Sequence, residues 1–317
     1  MKMFQLRLLI KLLVLCLPGL VVIQSFARSV DQTLGWITTE IKAPGVLYQT
    51  FASTAVGARV SYHIYVPEAY NKSVEPLPVL YWLHGTDGGG NGIAQLARFF
   101  DRSMRAGAMP SMLVVFVNGL PRRLWADSKD SSSPVETVFI KELIPHIDKN
   151  FRTIATRRGR IIEGFSMGGY GAARLGFKYH HLFAGISILA GGPLDLEFSG
   201  PRAQGNPQLR EQILRDVCSG DLDYFKAISP WALAVTAARP LSENRVIIRQ
   251  AVGGNDNTRE LGYRFHLHLL DLAIGHEYLE LPNIGHDALA ILENLAHKNG
   301  DFYHRALGHT RFGSGLQ

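Results

Sequence analysis

Residues 159–168 read GRIIEGFSMG, an apolar run leading into a glycine-flanked serine, and the helical pattern MGGYGAARLGFKYH follows at 167–180. Gly164-Phe165-Ser166-Met167-Gly168 is thus a G-x-S-x-G motif set between a predicted strand and a predicted helix, the context that gives it meaning. The constraint is steric. A turn that sharp holds the serine in a strained conformation with its hydroxyl exposed, and side chains at 164 and 168 would collide across it. Small residues at 168, 171, 172 and 176 let the helix press closely on a sheet. The N-terminus of that helix aims backbone N–H groups at the place where negative charge would form.

The remaining chain supplies the layers such a junction needs. LPVLYWLHG (77–85), SMLVVFVNG (111–119), FAGISILAGG (183–192), RVIIRQAVGGND (245–256) and EYLELPNIGH (277–286) are further apolar runs, continuous enough for strands buried on both faces. Helical patterns at 136–151, 167–180, 258–275 and 287–298 alternate with them, which predicts βαβ units and a mostly parallel, doubly wound α/β sheet. Residues 28–58 and 59–70 alternate apolar and polar positions, as antiparallel edge strands do. Segment 193–243 breaks the rhythm and is expected to form a partly helical, lid-like insertion over the C-terminal edge of the sheet. The tail 305–317 has no periodicity and is expected to fray.

Composition excludes other classes. With 46% hydrophobic and 19% charged residues the chain is not disordered. The long apolar stretch is N-terminal. Lys2, Arg7 and Lys11 precede or enter it, residues 12–23 form its core, and Ser25-Phe26-Ala27 is a small-x-small cleavage site. This is the pattern of an export signal cut after Ala27, leaving an α/β domain at 28–304 in the periplasm or outside the cell. The alternative is an uncleaved membrane anchor, for which 12 residues are short against ~30 Å of hydrocarbon. Removing the leader takes three of the six net positive charges, so no case for nucleic acid remains. It also removes Cys16, leaving Cys218 alone and no intrachain disulfide possible.

A serine hydroxyl needs a base, and the base needs an orienting acid. In chain order these follow the serine as acid, then histidine. His286 follows an apolar strand and lies at the reactive, C-terminal edge; His276 precedes the same strand. Asp256 ends the strand before, 30 residues upstream of His286, which leaves room for one helix and one strand. Asp195, after the 183–192 run, competes with it. Asp287, beside the base, reads as a helix cap. Oxyanion donors are expected from the amides of Met167 and of Thr86, with Gly85 next, in the loop His84-Gly85-Thr86-Asp87-Gly88-Gly89-Gly90. His84 is expected to brace that loop. No Gly-Lys-Ser/Thr follows it, so a phosphate loop is excluded. HEYLE at 276–280 lacks the second histidine of H-E-x-x-H, and His266 and His268 do not share a helix face, so no metal is expected.

YWLHGTDGGG (81–90), WADS (125–128), KELIPHIDKNFR (141–152) and GFSMGGYGAARLGFKYHHLFAGISILAGG (164–192) resemble the esterase D-like family of serine α/β-hydrolases. That family includes feruloyl and acetylxylan esterases, S-formylglutathione hydrolase and mycolyltransferases. The resemblance spans roughly 45–298 and is specific over 141–192. It implies an α/β-hydrolase fold and a cofactor-free serine carboxylic-ester hydrolase working through an acyl-enzyme on a small-molecule ester. It places the nucleophile on Ser166, the acid on Asp256, the base on His286 and the oxyanion donors on Met167 and the position after His84-Gly85. An acyltransferase with an alcohol acceptor, or a non-catalytic binding protein, are the other readings of the same scaffold. Gly285-His286-Asp287-Ala288 lacks the aromatic that the family often carries after its histidine, which would leave that wall of the acyl pocket open.

Overall fold

A computed structural model describes residues 35–90, 92–192 and 206–308. Eight strands build one sheet: β1 (Val46–Ser53), β2 (Ala58–Tyr65), β3 (Val79–Leu83), β4 (Leu113–Val117), β5 (Arg160–Phe165), β6 (Gly185–Leu189), β7 (Ile247–Gly253) and β8 (Glu277–Leu281). Their spatial order is β1-β2-β4-β3-β5-β6-β7-β8. β1 and β2 form an antiparallel hairpin, β2 runs antiparallel to β4, and every pairing from β4 to β8 is parallel. The predicted α/β architecture with antiparallel edge strands is therefore the observed one.

The continuous apolar runs follow from this topology. Successive strand side chains point to opposite faces, so each run feeds two cores. Tyr81, Leu83, Val115, Val117, Ile162, Ile186 and Ile188 enter one. Leu80, Trp82, Val114, Phe116, Ile161 and Leu189 enter the other. Helices Met167–Lys178, Pro230–Glu243 and Arg259–Asp271 cover the first face, with a helical stretch from Val135 to Asn150 that is π-wound over Val138–Leu143. Ile93–Arg105, Ala288–Asn294 and His297–Ala306 cover the second.

Inside the second layer lies a buried ion pair. Arg249 on β7 donates from Nη2 to Glu163 on β5 at 2.7 Å, and neither side chain is solvent-exposed. Ser187 on β6, Asn299 and the Tyr303 hydroxyl complete the network. The guanidinium also lies 4.2 Å from the Phe302 ring centroid. The last helix is thereby pinned beneath the strands that carry Ser166 and Asp256.

Several boundaries differ from the sequence reading. Ile93–Arg105 is a full helix, although no helix is predicted there. Its buried residues Ile93, Leu96, Ala97, Phe100 and Met104 have helical spacing, but a glycine, Gly92 at φ 80°, occupies its N-cap and masks the start. The strand predicted within 59–70 and ended by Pro67 stops at Tyr65, and Pro67 caps a short helix, Glu68–Lys72. The predicted helix 287–298 is broken at Ala296, φ 48°, and a second helix runs to Ala306, so Arg305 and Ala306 of the expected tail close a packed element. Of the expected insertion, 206–243 forms three helices, Pro207–Cys218, Leu222–Ala227 and Pro230–Glu243. The last packs against Met167–Lys178 and buries Ala234, Ala237 and Leu241 in the first core. The leader, residues 193–205 and the tail beyond 308 lie outside the described residues. Among the described residues no helix is long and apolar enough to cross a membrane.

Candidate active site

Four loops at the C-terminal ends of β3, β5, β7 and β8 meet at one edge of the sheet. At the end of β5, Ser166 sits at φ 58°, ψ −122°, as the residue preceding the helix Met167–Lys178. Such a conformation costs a non-glycine residue about 1–3 kcal/mol and persists only where its surroundings enforce it. Here they do. The Ser166 amide donates to the Leu189 carbonyl at 2.9 Å, and its carbonyl accepts from Tyr170 and Gly192, both at 3.1 Å. A methyl at Gly164 would run into the backbone of Gly168 across the turn. Gly168 is constrained from elsewhere: a methyl there would enter the Leu83 carbonyl at the end of β3. Gly176 does press on the sheet, at Ile186, whereas Gly171 makes room for the indole of Trp125.

His286 Nε2 lies 3.0 Å from Ser166 Oγ. Its Nδ1 lies 2.8 and 3.0 Å from the two carboxylate oxygens of Asp256. A carboxylate can only accept, so Nδ1 carries the proton and Nε2 faces the serine with its lone pair. The 30 residues between acid and base are brought together by backbone bonds between their loops. Gly254 N–H donates to Leu281 O at 2.7 Å, and Asn255 N–H to Ile284 O at 2.9 Å. Gly253 lies where any side chain would strike the Ile284 carbonyl.

Asp256 is buried, which pushes its carboxyl up. Hydrogen bonds from His286 and from the amide and hydroxyl of Thr258 outweigh this and hold it below the usual carboxylate range. Thr258 donates to Oδ1 through its N–H at 2.7 Å and its hydroxyl at 2.8 Å. Sequence reasoning missed Thr258; the available signal was the Asp-x-Thr spacing of an Asx turn. It also missed Phe165, whose ring centroid lies 4.5 Å from that of His286 and backs the imidazole. Nothing in sequence spacing indicates that contact.

The HG loop stands beside the serine. A methyl built on Gly85 would come within 3.5 Å of Ser166 Cβ and 3.9 Å of Oγ. Among the described residues the amides of Thr86 and Met167 make no hydrogen bond and remain free donors. Asp287 accepts from the Ala290 amide at 2.9 Å and caps the helix Ala288–Asn294. Asp195 lies outside the described residues. His276 lies at the far end of β8, its Nε2 2.7 Å from His266 Nδ1. Cys218 is buried and free, and burial pushes its thiol up to about 11, so it is unreactive. Among the described residues no group of three or more His, Cys, Asp or Glu side chains converges as metal ligands would.

The Esterase family model ("Putative esterase") matches residues 53–266. The chain belongs to that family. An esterase of Mycobacterium tuberculosis is 35% identical to this esterase-family chain over 156 residues, covering 47% of the chain and 32% of the relative. The endo-1,4-beta-xylanase/feruloyl esterase of Xylanibacter ruminicola is 31% identical over 185 residues, 55% of the chain and 25% of the relative. The chain thus spans a third or less of the length of these curated relatives. Among solved structures, a ferulic acid esterase superposes with a TM-score of 0.68 at 20% identity, over 82% of this chain and 98% of that one. S-formylglutathione hydrolase from Agrobacterium tumefaciens gives 0.67 at 19%, over 86% and 99%. At such identities these likenesses establish the α/β-hydrolase fold of this esterase-family member.

Proposed function

We propose that this protein is a serine carboxylic-ester hydrolase that works through an acyl-enzyme. The observation that carries the reading is the relay Ser166 Oγ–His286 Nε2–Asp256, with both links at 2.8–3.0 Å. His286 Nε2 takes the Ser166 proton as Oγ attacks the ester carbonyl. The oxyanion that forms accepts hydrogen bonds from the amides of Met167 and Thr86, each such donor contributing about 3–4 kcal/mol of transition-state stabilisation. His286 then protonates the leaving alcohol, and water, activated by the same nitrogen, cleaves the acyl-serine. Asp256 remains ionised and holds the imidazole tautomer.

Family membership supports the reaction class, and relatives named as a feruloyl esterase and an S-formylglutathione hydrolase support small or medium acyl groups as its substrates. The leader read at residues 1–27 supports export as the setting. Labelling by a fluorophosphonate probe and turnover of a p-nitrophenyl ester test the assignment. Wild type is expected to be labelled stoichiometrically and Ser166→Ala not at all; equal labelling of both removes Ser166 as nucleophile.

A further inference from the structure

The amide of Thr86 can serve the oxyanion only if its peptide plane is held one way round. In a trans peptide the carbonyl of residue 85 and the N–H of residue 86 point in opposite directions. Fixing the Gly85 carbonyl on the side away from Ser166 therefore fixes the Thr86 N–H on the side toward it. Glycine at 85 and a run of three more glycines at 88–90 give this loop little intrinsic preference. The backbone offers the Gly85 carbonyl only a long bond from the Gly88 amide, at 3.5 Å, so a side chain must choose the orientation.

The structure holds that carbonyl with one side chain. His84 Nδ1 lies 2.7 Å from Gly85 O, and the Gly119 amide donates to His84 Nε2 at 3.1 Å. A carbonyl only accepts and an amide N–H only donates, so the two partners together fix the neutral Nδ1–H tautomer. The ring is itself held. The Trp125 indole N–H donates to the His84 carbonyl at 3.3 Å, its ring lies 4.8 Å from the imidazole, and Gly89 leaves room for the imidazole edge. Trp125 fits only because Gly119 and Gly171 carry no side chain. Gly171 belongs to the helix that Ser166 begins, so one indole braces both oxyanion-donor segments.

On the proposed hydrolase mechanism, we infer that His84 is a positioning residue that locks the 85–86 peptide with its N–H toward the oxyanion. His84 touches neither the serine nor the ester. Burial lowers its imidazole to about 4, so the accepting lone pair on Nε2 survives at neutral pH.

Two near-isosteres separate this role from simple packing. Asparagine places a side-chain amide where His84 has Nδ1 and can still donate to Gly85 O; glutamine places its amide near Nε2 and cannot. Each variant is titrated with a fluorophosphonate to its stoichiometric end point, and kcat and KM for a p-nitrophenyl ester are expressed per titrated site. His84→Gln is expected to lose about 10²-fold in kcat with little change in KM, and His84→Asn to stay within about fivefold of wild type. Equal kcat in both variants, whether high or low, overturns the lock and leaves His84 a packing residue. Failure of the wild type to label overturns the hydrolase reading instead. Should either variant fail to fold, 15N spectra of the wild-type imidazole decide: a protonated Nδ1 is expected, and a protonated Nε2 refutes the lock.

Discussion

Asp256→Asn is the perturbation whose outcome the geometry fixes most tightly. An asparagine has one accepting and one donating end, and the site dictates which goes where. Thr258 presents two donors to the Oδ1 position, at 2.7 and 2.8 Å. The asparagine oxygen must sit there, because its NH2 would face two N–H or O–H groups. The NH2 then occupies the Oδ2 position, 2.8 Å from His286 Nδ1. Nδ1 must become the acceptor, the proton moves to Nε2, and Nε2 can no longer take the serine proton. Oδ1 also lies 3.0 Å from Nδ1, so a minority of correct tautomer persists. The expected loss in kcat is about 10³–10⁴-fold, the scale at which a wrong tautomer acts in serine hydrolases, or about 4–5.5 kcal/mol. Steady-state hydrolysis of a p-nitrophenyl ester, normalised to folded protein by circular dichroism, measures it. Adding Thr258→Val removes the hydroxyl donor, loosens the amide's orientation and is expected to recover part of the loss. A single variant within tenfold of wild type would refute the argument, as would a double variant no better than the single one.

Two further outcomes follow from buried groups elsewhere in the fold. Glu163→Gln leaves Arg249 charged, wholly buried and held only by dipoles and ring faces; the expected cost is about 3–5 kcal/mol, read as a lowered urea midpoint, and a midpoint unchanged within error contradicts it. Acidification weakens the fold through His84. Its folded value near 4 lies below the ordinary 6.5, so between these pH values the unfolded chain binds a proton that the folded chain refuses. Stability is full above about 6.5, falls by about 1.4 kcal/mol per pH unit, and levels off below about 4 after a loss of about 3 kcal/mol. The lowered values of His63 and His180, both caused first by burial, act in the same direction over the same range; the carboxyl of Asp256, held low by its hydrogen bonds against burial, adds its loss only below its ordinary value of 3.8. Thermal melts from pH 7.5 to 4 test this: His84→Asn should flatten the slope, and an unchanged slope refutes the assignment to His84.

What the sequence by itself determined is whatever rests on local sterics and periodicity. The G-x-S-x-G junction is legible as a string because Gly164 must clear the backbone of Gly168 four residues on, although the bonds that hold Ser166 bent reach Leu189 and Gly192. The apolar runs report a sheet buried on both faces, because burial on both sides removes the polar positions that alternation would show. The order serine, aspartate, histidine at strand ends is a matter of counting. The tertiary structure alone decided which strands neighbour which, and therefore that the loops of Asp256 and His286 join through Gly254–Leu281 and Asn255–Ile284. It also supplied Phe165 behind the imidazole, the partner of Gly171, and the Trp125–His84–Gly85 chain that orients Thr86. Apart from the step from His84 to Gly85, these contacts cross 27 to 121 residues of sequence (Gly254 to Leu281, Phe165 to His286) and leave no periodic trace. A string records what each residue does to its neighbours; which distant residues become neighbours is settled only when the sheet and its two cores assemble.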